Sequence, residues 1–328
     1  MTTFATNPVL RRYWHAVCRS TDVLGEPVAV RLLGEDLVVW RGGDGTVAAL
    51  PDRCSHREAP LSAGRVKGDC IECPYHGWKF LGSGRCAEVP SSAAGVPVPP
   101  KAHLRAVHAT ERYGLVWLCL DEPVAGIPEI PQEQDPAFRR INAVVEPWQA
   151  AATRMVDNFL DITHFPYVHV GSFGSATTPE VPHVELRDLG EWYGYEYSVT
   201  AANPTVAASA SGQATATVQR LMSSGFNLPF AVRSTIRYES GLEHILLLLS
   251  TPIDDATSYF TFVVWRNDDF SVPADEVTRL DRLIGAEDKL MLERVRGTLP
   301  LDNTALVSVQ ADKASVEWRR QLRALLEG

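Results

Sequence analysis

Two short motifs in the first third of the chain each pair a thiol with an imidazole: Cys54-Ser55-His56 and Cys73-Pro74-Tyr75-His76. Four donors at these spacings suit either of two metal sites. One is a tetrahedral zinc ion held by two thiolates and two imidazoles. The other is a [2Fe–2S] cluster in which two cysteines bind one iron and two histidines the other. Zinc fingers group cysteine with cysteine and histidine with histidine, whereas here each motif carries one of each. A cluster gripped by two loops needs that arrangement, because each loop then offers one thiolate to the inner iron and one imidazole to the outer. Pro74 and Gly77 suit a tight loop, and Gly64 and Gly68 lie in turn-rich sequence between the motifs. Cys18, Cys70, Cys86 and Cys119 fit no ligand pattern and are expected to be buried structural thiols.

A second constellation lies at Asp157-Asn158-Phe159-Leu160-Asp161-Ile162-Thr163-His164-Phe165-Pro166-Tyr167-Val168-His169. Two histidines five apart on a regular helix would point about 140° away from each other and could not share a metal. Pro166 lies between them and must disturb the helix, so a kink there could swing His169 round toward His164. Asn158 sits one turn before Asp161 on the same face; it extends a hydrogen-bond network around Asp161 or is simply a polar helix residue. A two-histidine site open to O₂ wants one carboxylate to complete a facial triad. The segment Asp275–Val295 reads as a helix with an apolar stripe at Leu280, Leu283, Ile284, Met291 and Val295. Glu287 and Asp288 both border that stripe, so periodicity does not choose between them. Asp302 and Asp312 are weaker candidates, and Lys289 and Arg294 could instead pair with the two helix acids.

The elements that must position these residues fall into two groups. Up to about residue 120 the chain reads as short strands between turns. Val28–Leu33 and Leu37–Trp40 flank a hairpin turn at Gly34-Glu35-Asp36, Val47–Leu50 follows a second turn, and Tyr113–Leu120 is an apolar run of strand length. Val89–Pro100 suits an extended loop, and Asp121–Pro136, with four prolines, reads as a linker. Glu146–Tyr167 is expected to be helical, interrupted at Pro166. Strands are expected at Tyr193–Ala201, Ala214–Met222, Phe230–Tyr238, His244–Thr251 and Tyr259–Trp265, with a last amphipathic helix at Ala314–Leu326. An all-β domain at 8–122 and an α+β domain at 123–328 follow, as expected for 328 residues, since single cores stop growing near 250–300.

The net charge of −9 argues against general nucleic-acid binding, which wants a basic footprint. No apolar leader opens the chain, and the longest aliphatic run, Ile245–Leu249, is far short of the ~20 residues that cross a bilayer. Six cysteines are too sparse for a disulfide framework, so a cytoplasmic location is expected.

Cys54–Leu61 (CSHREAPL) and Cys73–Phe80 (CPYHGWKF) resemble the Rieske domain of aromatic-ring hydroxylating oxygenases, and weaker likeness covers most of residues 10–120. The segment around His164 and His169 is similar to the mononuclear-iron helix of the same family. Glu287-Asp288-Lys289 resembles the family segment whose aspartate ligates that iron. The resemblance implies an oxygenase (alpha) component whose Rieske domain precedes a helix-grip (START-like) catalytic domain. It implies a [2Fe–2S] cluster on Cys54, Cys73, His56 and His76, and a mononuclear Fe(II) on His164, His169 and Asp288, with Glu287 the alternative carboxylate. Asp161 would join His164 to His76 of a neighbouring subunit, in a ring-shaped homotrimer, and carry electrons between the two metals. Trp78 would pack beside the cluster loop. The family draws electrons from NAD(P)H through a reductase, with or without a ferredoxin, and this chain has no G-x-G-x-x-G of its own.

Among family members the chain looks closest to the shorter vanillate- and dicamba-type O-demethylases. Insertion of one oxygen from O₂ into a small aromatic or cyclic substrate, as hydroxylation or O-/N-demethylation, is therefore expected over ring cis-dihydroxylation. The rival outside catalysis is a plain Rieske electron carrier. Between Arg53 and Arg85 six basic residues face three acidic ones, a possible docking face for an acidic ferredoxin or merely a solvated surface. Phe226, Phe230 and Phe260 are candidate pocket walls, with core packing the plainer role for each.

Overall fold

The computed structural model describes residues 4–93, 95–174, 179–203, 205, 208 and 211–328. The chain divides into two compact units, one ending at Ile127 and the other beginning at Pro128, within the proline-rich stretch.

The first unit is built from short antiparallel strands in three small sheets, joined by tight turns. Strands Val28–Leu32 and Glu35–Arg41 form a hairpin closed by Leu33-Gly34, both at positive φ (51° and 78°). The turn is thus two residues long and sits one residue earlier than the sequence suggested. Two positive-φ residues give the mirror-image turn whose twist matches the flanking strands. Tyr113-Gly114 repeats this device between His108–Arg112 and Leu115–Cys119, so Tyr113 is turn rather than strand. The remaining sheet, Arg65–Lys67, Cys70–Glu72, Lys79–Leu81 and Cys86–Glu88, carries the second cysteine loop between its middle strands.

In the second unit, seven described strands make one antiparallel sheet. They are β1 (Arg139–Trp148), β2 (Arg187–Asp188), β3 (Tyr193–Ala202), β4 (Thr217–Asn227), β5 (Ala231–Tyr238), β6 (Glu243–Pro252) and β7 (Ser258–Arg266). Their spatial order is β1-β7-β6-β5-β4-β3-β2. Helices α1 (Ala152–Leu160) and α2 (Phe165–Val168) follow β1, and α3 (Ala274–Val277), α4 (Arg279–Leu292) and α5 (Lys313–Glu327) follow β7. Helix α1 crosses the sheet over β4, β5 and β6. This is the helix-grip arrangement.

Three expectations need correction here. Residues 146–148 end a strand rather than begin a helix. That strand lies at the sheet edge, where Pro147, opposite Tyr259, costs no ladder bond to a further neighbour. The helix before His164 stops at Leu160, well ahead of Pro166. The stripe on α4 is also not the one expected, for Leu283, Met291 and Val295 are exposed while Leu280, Asp288 and Leu292 are buried.

Candidate metal centres

In the first unit, Cys54 and Cys73 are buried in the same apolar core as Trp40, Leu50, Ile71 and Phe80. Their loops are closed by backbone bonds: Cys54 N donates to Ala59 O (2.9 Å) and Cys73 N to Trp78 O (2.8 Å). Gly77 takes φ +72° in the second loop, where an L side chain would be strained. The imidazoles stand further out: His56 is half-buried, His76 is exposed, and their ring centres lie 4.5 Å apart. Trp78 stacks on His56 at 4.7 Å with the rings nearly parallel. It touches a motif imidazole directly, which is more than core packing. Burial pushes the Cys54 thiol up to about 11, and the neighbouring Cys73 adds to this. A bound cation reverses that cost by taking both sulfurs as thiolates.

The donor set discriminates between the two metal readings. Among the described residues, the one set of three or more Cys, His, Asp or Glu donors lying within 4.8 Å of one another is in the second unit. The four Cys/His donors therefore do not converge on a single ion as a zinc site requires, and they fit a two-iron cluster. His56 Nδ1 is buried with no hydrogen-bond partner, as an unfilled ligand atom would be. Cys18, Cys86 and Cys119 are buried thiols, but Cys70 is only half-buried.

In the second unit the convergence of His164 and His169 has a cause that differs from a proline kink. Helix α1 ends when Asp161 turns to extended backbone (φ −87°, ψ 142°). His164 then caps the start of α2, Pro166 sits in its first turn, where its missing N–H costs nothing, and His169 caps its end. The two Nε2 atoms come within 3.1 Å. Asp288 Oδ1 lies 3.5 Å from His164 Nε2 and 3.4 Å from His169 Nε2, buried and without a hydrogen-bond partner. Glu287 points elsewhere, at His169 Nδ1 (3.0 Å) and the Ser172 hydroxyl (2.7 Å). Asp302 is exposed and Asp312 caps a turn by accepting from Val309 N, and neither joins the cluster.

Asp161 Oδ2 takes His164 Nδ1 at 2.9 Å, and its Oδ1 accepts from Thr163 N and Oγ1 at 2.8 and 2.6 Å. Burial favours a neutral Asp161, but His164 and Thr163 outweigh it and hold the carboxyl below the usual range. Burial likewise opposes a charge on His164, yet Asp161 and Asp288 lift it to about 9. Burial prevails at His169, whose pKa is lowered. A pocket that draws a proton onto one imidazole and leaves a carboxylate oxygen unpaired is made for a cation. Asn158 lines that pocket beside Asp161, with its Oδ1 buried and without a partner.

Both sets of donors fit a two-centre redox protein, with a Rieske-type cluster in an all-β unit and a facial-triad iron site over a helix-grip sheet. Comparison with known proteins agrees. Residues 13–106 match the Rieske [2Fe-2S] domain, and residues 148–328 match the vanillate O-demethylase oxygenase C-terminal domain. Methylxanthine N1-demethylase NdmA of Pseudomonas putida is 35% identical, over 97% of this chain and 90% of its own length. Methylxanthine N3-demethylase NdmB from the same organism is 28% identical over 95% and 88%. The structure of NdmA with caffeine superposes with a TM-score of 0.85 at 31% identity, covering 98% of this chain and 93% of that one. Dicamba monooxygenase, at 24% identity and a TM-score of 0.84, shares the fold. The chain belongs to the Rieske non-haem iron oxygenases, as a monooxygenase-type oxygenase component with a [2Fe–2S] cluster and a mononuclear iron. Proteins of this class take their electrons from a separate reductase or ferredoxin.

A cavity of about 780 Å³, its mouth included, opens beside His164, His169 and Asp288. Its floor is one face of the sheet, built from alternate residues: Arg220 and Met222 on β4, Ser234 and Ile236 on β5, Leu246 and Leu248 on β6, Phe260 and Phe262 on β7. Its roof includes Asp281, Ile284, Gly285 and Asp288, the i, i+3, i+4, i+7 face of α4. Of the three expected aromatic walls only Phe260 lines it; Phe226 and Phe230 are buried in the core. The period-2 pattern was the available signal for the floor, once one residue per strand was known to face inward.

Proposed function

We propose that this chain is a demethylase that hydroxylates a methyl group carried on the nitrogen or oxygen of a small ring. Two relatives matched over nearly the whole chain are N-demethylases, and the cavity is lined mainly by apolar and aromatic side chains with a few polar groups, as small-molecule sites are. The observation that carries the reading is the meeting of His164, His169 and the unpaired Asp288 oxygen at the wall of that cavity. In this reading those three residues hold the mononuclear iron, while Cys54 and Cys73 hold one cluster iron and His56 and His76 the other. The bound metals supply one-electron delivery and O₂ activation.

The chain's own residues do the positioning. Glu287 fixes His169 through Nδ1, and Asp161 fixes His164 likewise, so both Nε2 atoms face the same point. The apolar sheet face excludes water and places the methyl group. The hydroxymethyl product loses formaldehyde, which carries away one oxygen of O₂, while the other is reduced to water by two electrons and two protons.

Asp161 also lines a second cleft, with Val295, Leu306, Val307 and Arg319, in which Val307 is 96% exposed. A homotrimer that docks His76 of a second copy against Asp161 would cover it and connect the two metals. The reductase or ferredoxin would then dock near the cluster, but Arg53, Arg65 and Lys79 there are paired with Glu58, Glu72 and Glu88, so a basic docking face is weaker than counting residues suggests. None of the six cysteines is in a disulfide, which supports a cytoplasmic location. No helix among the described residues is long and apolar enough to cross a membrane.

The test is turnover of a panel of N- and O-methylated rings with a surrogate reductase under ¹⁸O₂. Formaldehyde release with no labelled oxygen in the demethylated ring supports the proposal, and a ring product carrying two labelled oxygens contradicts it. Asp161→Ala should keep the cluster, hold the mononuclear iron more weakly, and stop turnover even when reloaded with iron; full activity in that variant would remove the electron route.

A further inference from the structure

Arg220 is a feature of the cavity that neither metal site nor apolar packing explains. It points from β4 into a floor of Met222, Ile236, Leu246, Leu248 and Phe262, with 4% of its surface exposed. Its guanidinium lies 5.6 Å from the ring centres of both Phe173 and Tyr238, which hold it in place. Nε and Nη2 are buried with no hydrogen-bond partner. Three acids line the same cavity: Asp161 is bonded to His164 and Thr163, Asp281 meets His244 Nε2 through Oδ1 (3.2 Å) and keeps Oδ2 unpartnered, and Asp288 turns its unpartnered Oδ1 to the two imidazoles, so among the described residues none of them forms an ion pair with Arg220. A buried charge left without a counter-ion is costly, and proteins keep one only where something else supplies it.

The unpartnered atoms name the shape of what is missing. Nε–H and Nη2–H are parallel donors on one edge of the guanidinium, the edge that takes a carboxylate through two hydrogen bonds. We propose that Arg220 is a specificity residue and that the substrate's ring bears a carboxylate which this edge receives. The inference rests on the reading above, that this cavity holds the methylated ring.

The test is calorimetric titration of the intact, metal-loaded protein with methoxybenzoates and with the matching methoxybenzamides, which keep the shape and one acceptor oxygen but lose the charge. At least one acid should bind about tenfold or more tighter than its amide, in line with charge-assisted bonding. Arg220→Met should abolish that preference while leaving amide affinity within about threefold, and Arg220→Lys should keep part of it. An intact Rieske absorbance spectrum checks that each variant folds. If every acid binds no tighter than its amide, or if the preference survives in both variants, the assignment is overturned. Formaldehyde scored in parallel separates the two claims. An Arg220-dependent preference without formaldehyde sinks the demethylase reading and keeps the anion site. Release from amides that is indifferent to Arg220 does the reverse.

Discussion

Glu287 and Asp288 are neighbours in sequence with separate tasks. Successive helix residues point about 100° apart, so one reaches the far nitrogen of His169 while the other faces both Nε2 atoms. Sequence pattern could not divide them, because both border the same stripe; only the position of His169 does. If Glu287 serves to orient His169, Glu287→Ala should weaken iron retention about 10–100-fold and leave the Rieske spectrum unchanged. Iron per chain after dialysis against a chelator would show this, and retention equal to the parent would count against it. The cysteine–histidine motifs were fully legible, since ligand type and spacing are local. Arg220 was not, because its meaning depends on partners that β5, β6 and α4 fail to provide.

At the level of elements, the site depends on a chain break at Asp161 rather than on Pro166. Tyr195 on β3 donates to Leu160 O at 3.0 Å and pins the end of α1 there. On the far side, Gly174 packs against α2 so closely that a Cβ would lie 2.0 Å from Phe165 O. Gly174→Ala should therefore displace α2, lower stability by roughly 1–3 kcal/mol and reduce bound mononuclear iron. Thermal unfolding and metal analysis measure both, and an unperturbed variant would show that α2 is not held from this side. The central strands of the sheet were legible from their β-branched and aromatic alternation, within three residues at either end except at β4, which runs on five residues past the expected Met222 to Asn227. The edge strand β1 was not, since Pro147 and Glu146 read as the start of a helix when the neighbour β7 is unknown. The break at Thr278 between α3 and α4 was hidden for a similar reason, as local propensity there is helical throughout.

For the molecule as a whole, stability depends on pH through a histidine buried in the first of the two units. His15, fully buried in the first, donates from Nε2 to Leu10 O at 2.9 Å, and burial pushes its pKa down from 6.5 to about 4. The unfolded chain binds that proton between pH 6.5 and 4 while the folded chain does not. Stability is thus fully present above pH 6.5 and is lost as pH falls toward 4, by roughly 3 kcal/mol in all. Denaturant unfolding of the intact protein at pH 7.5 and 5 should show the loss, and His15→Gln should remove this part of the pH dependence; an unchanged slope in the variant would contradict it.

The central claim is that one polypeptide carries two separate iron centres on the residues named. Iron and acid-labile sulfide per chain, measured in the parent and in a His164→Ala/Asp288→Ala variant, test it most directly. The account predicts about three irons and two sulfides in the parent, from one [2Fe–2S] cluster and one further iron. The variant should hold about two of each and keep an unchanged Rieske spectrum. Two irons in the fully loaded parent, or three retained in the variant, would contradict it.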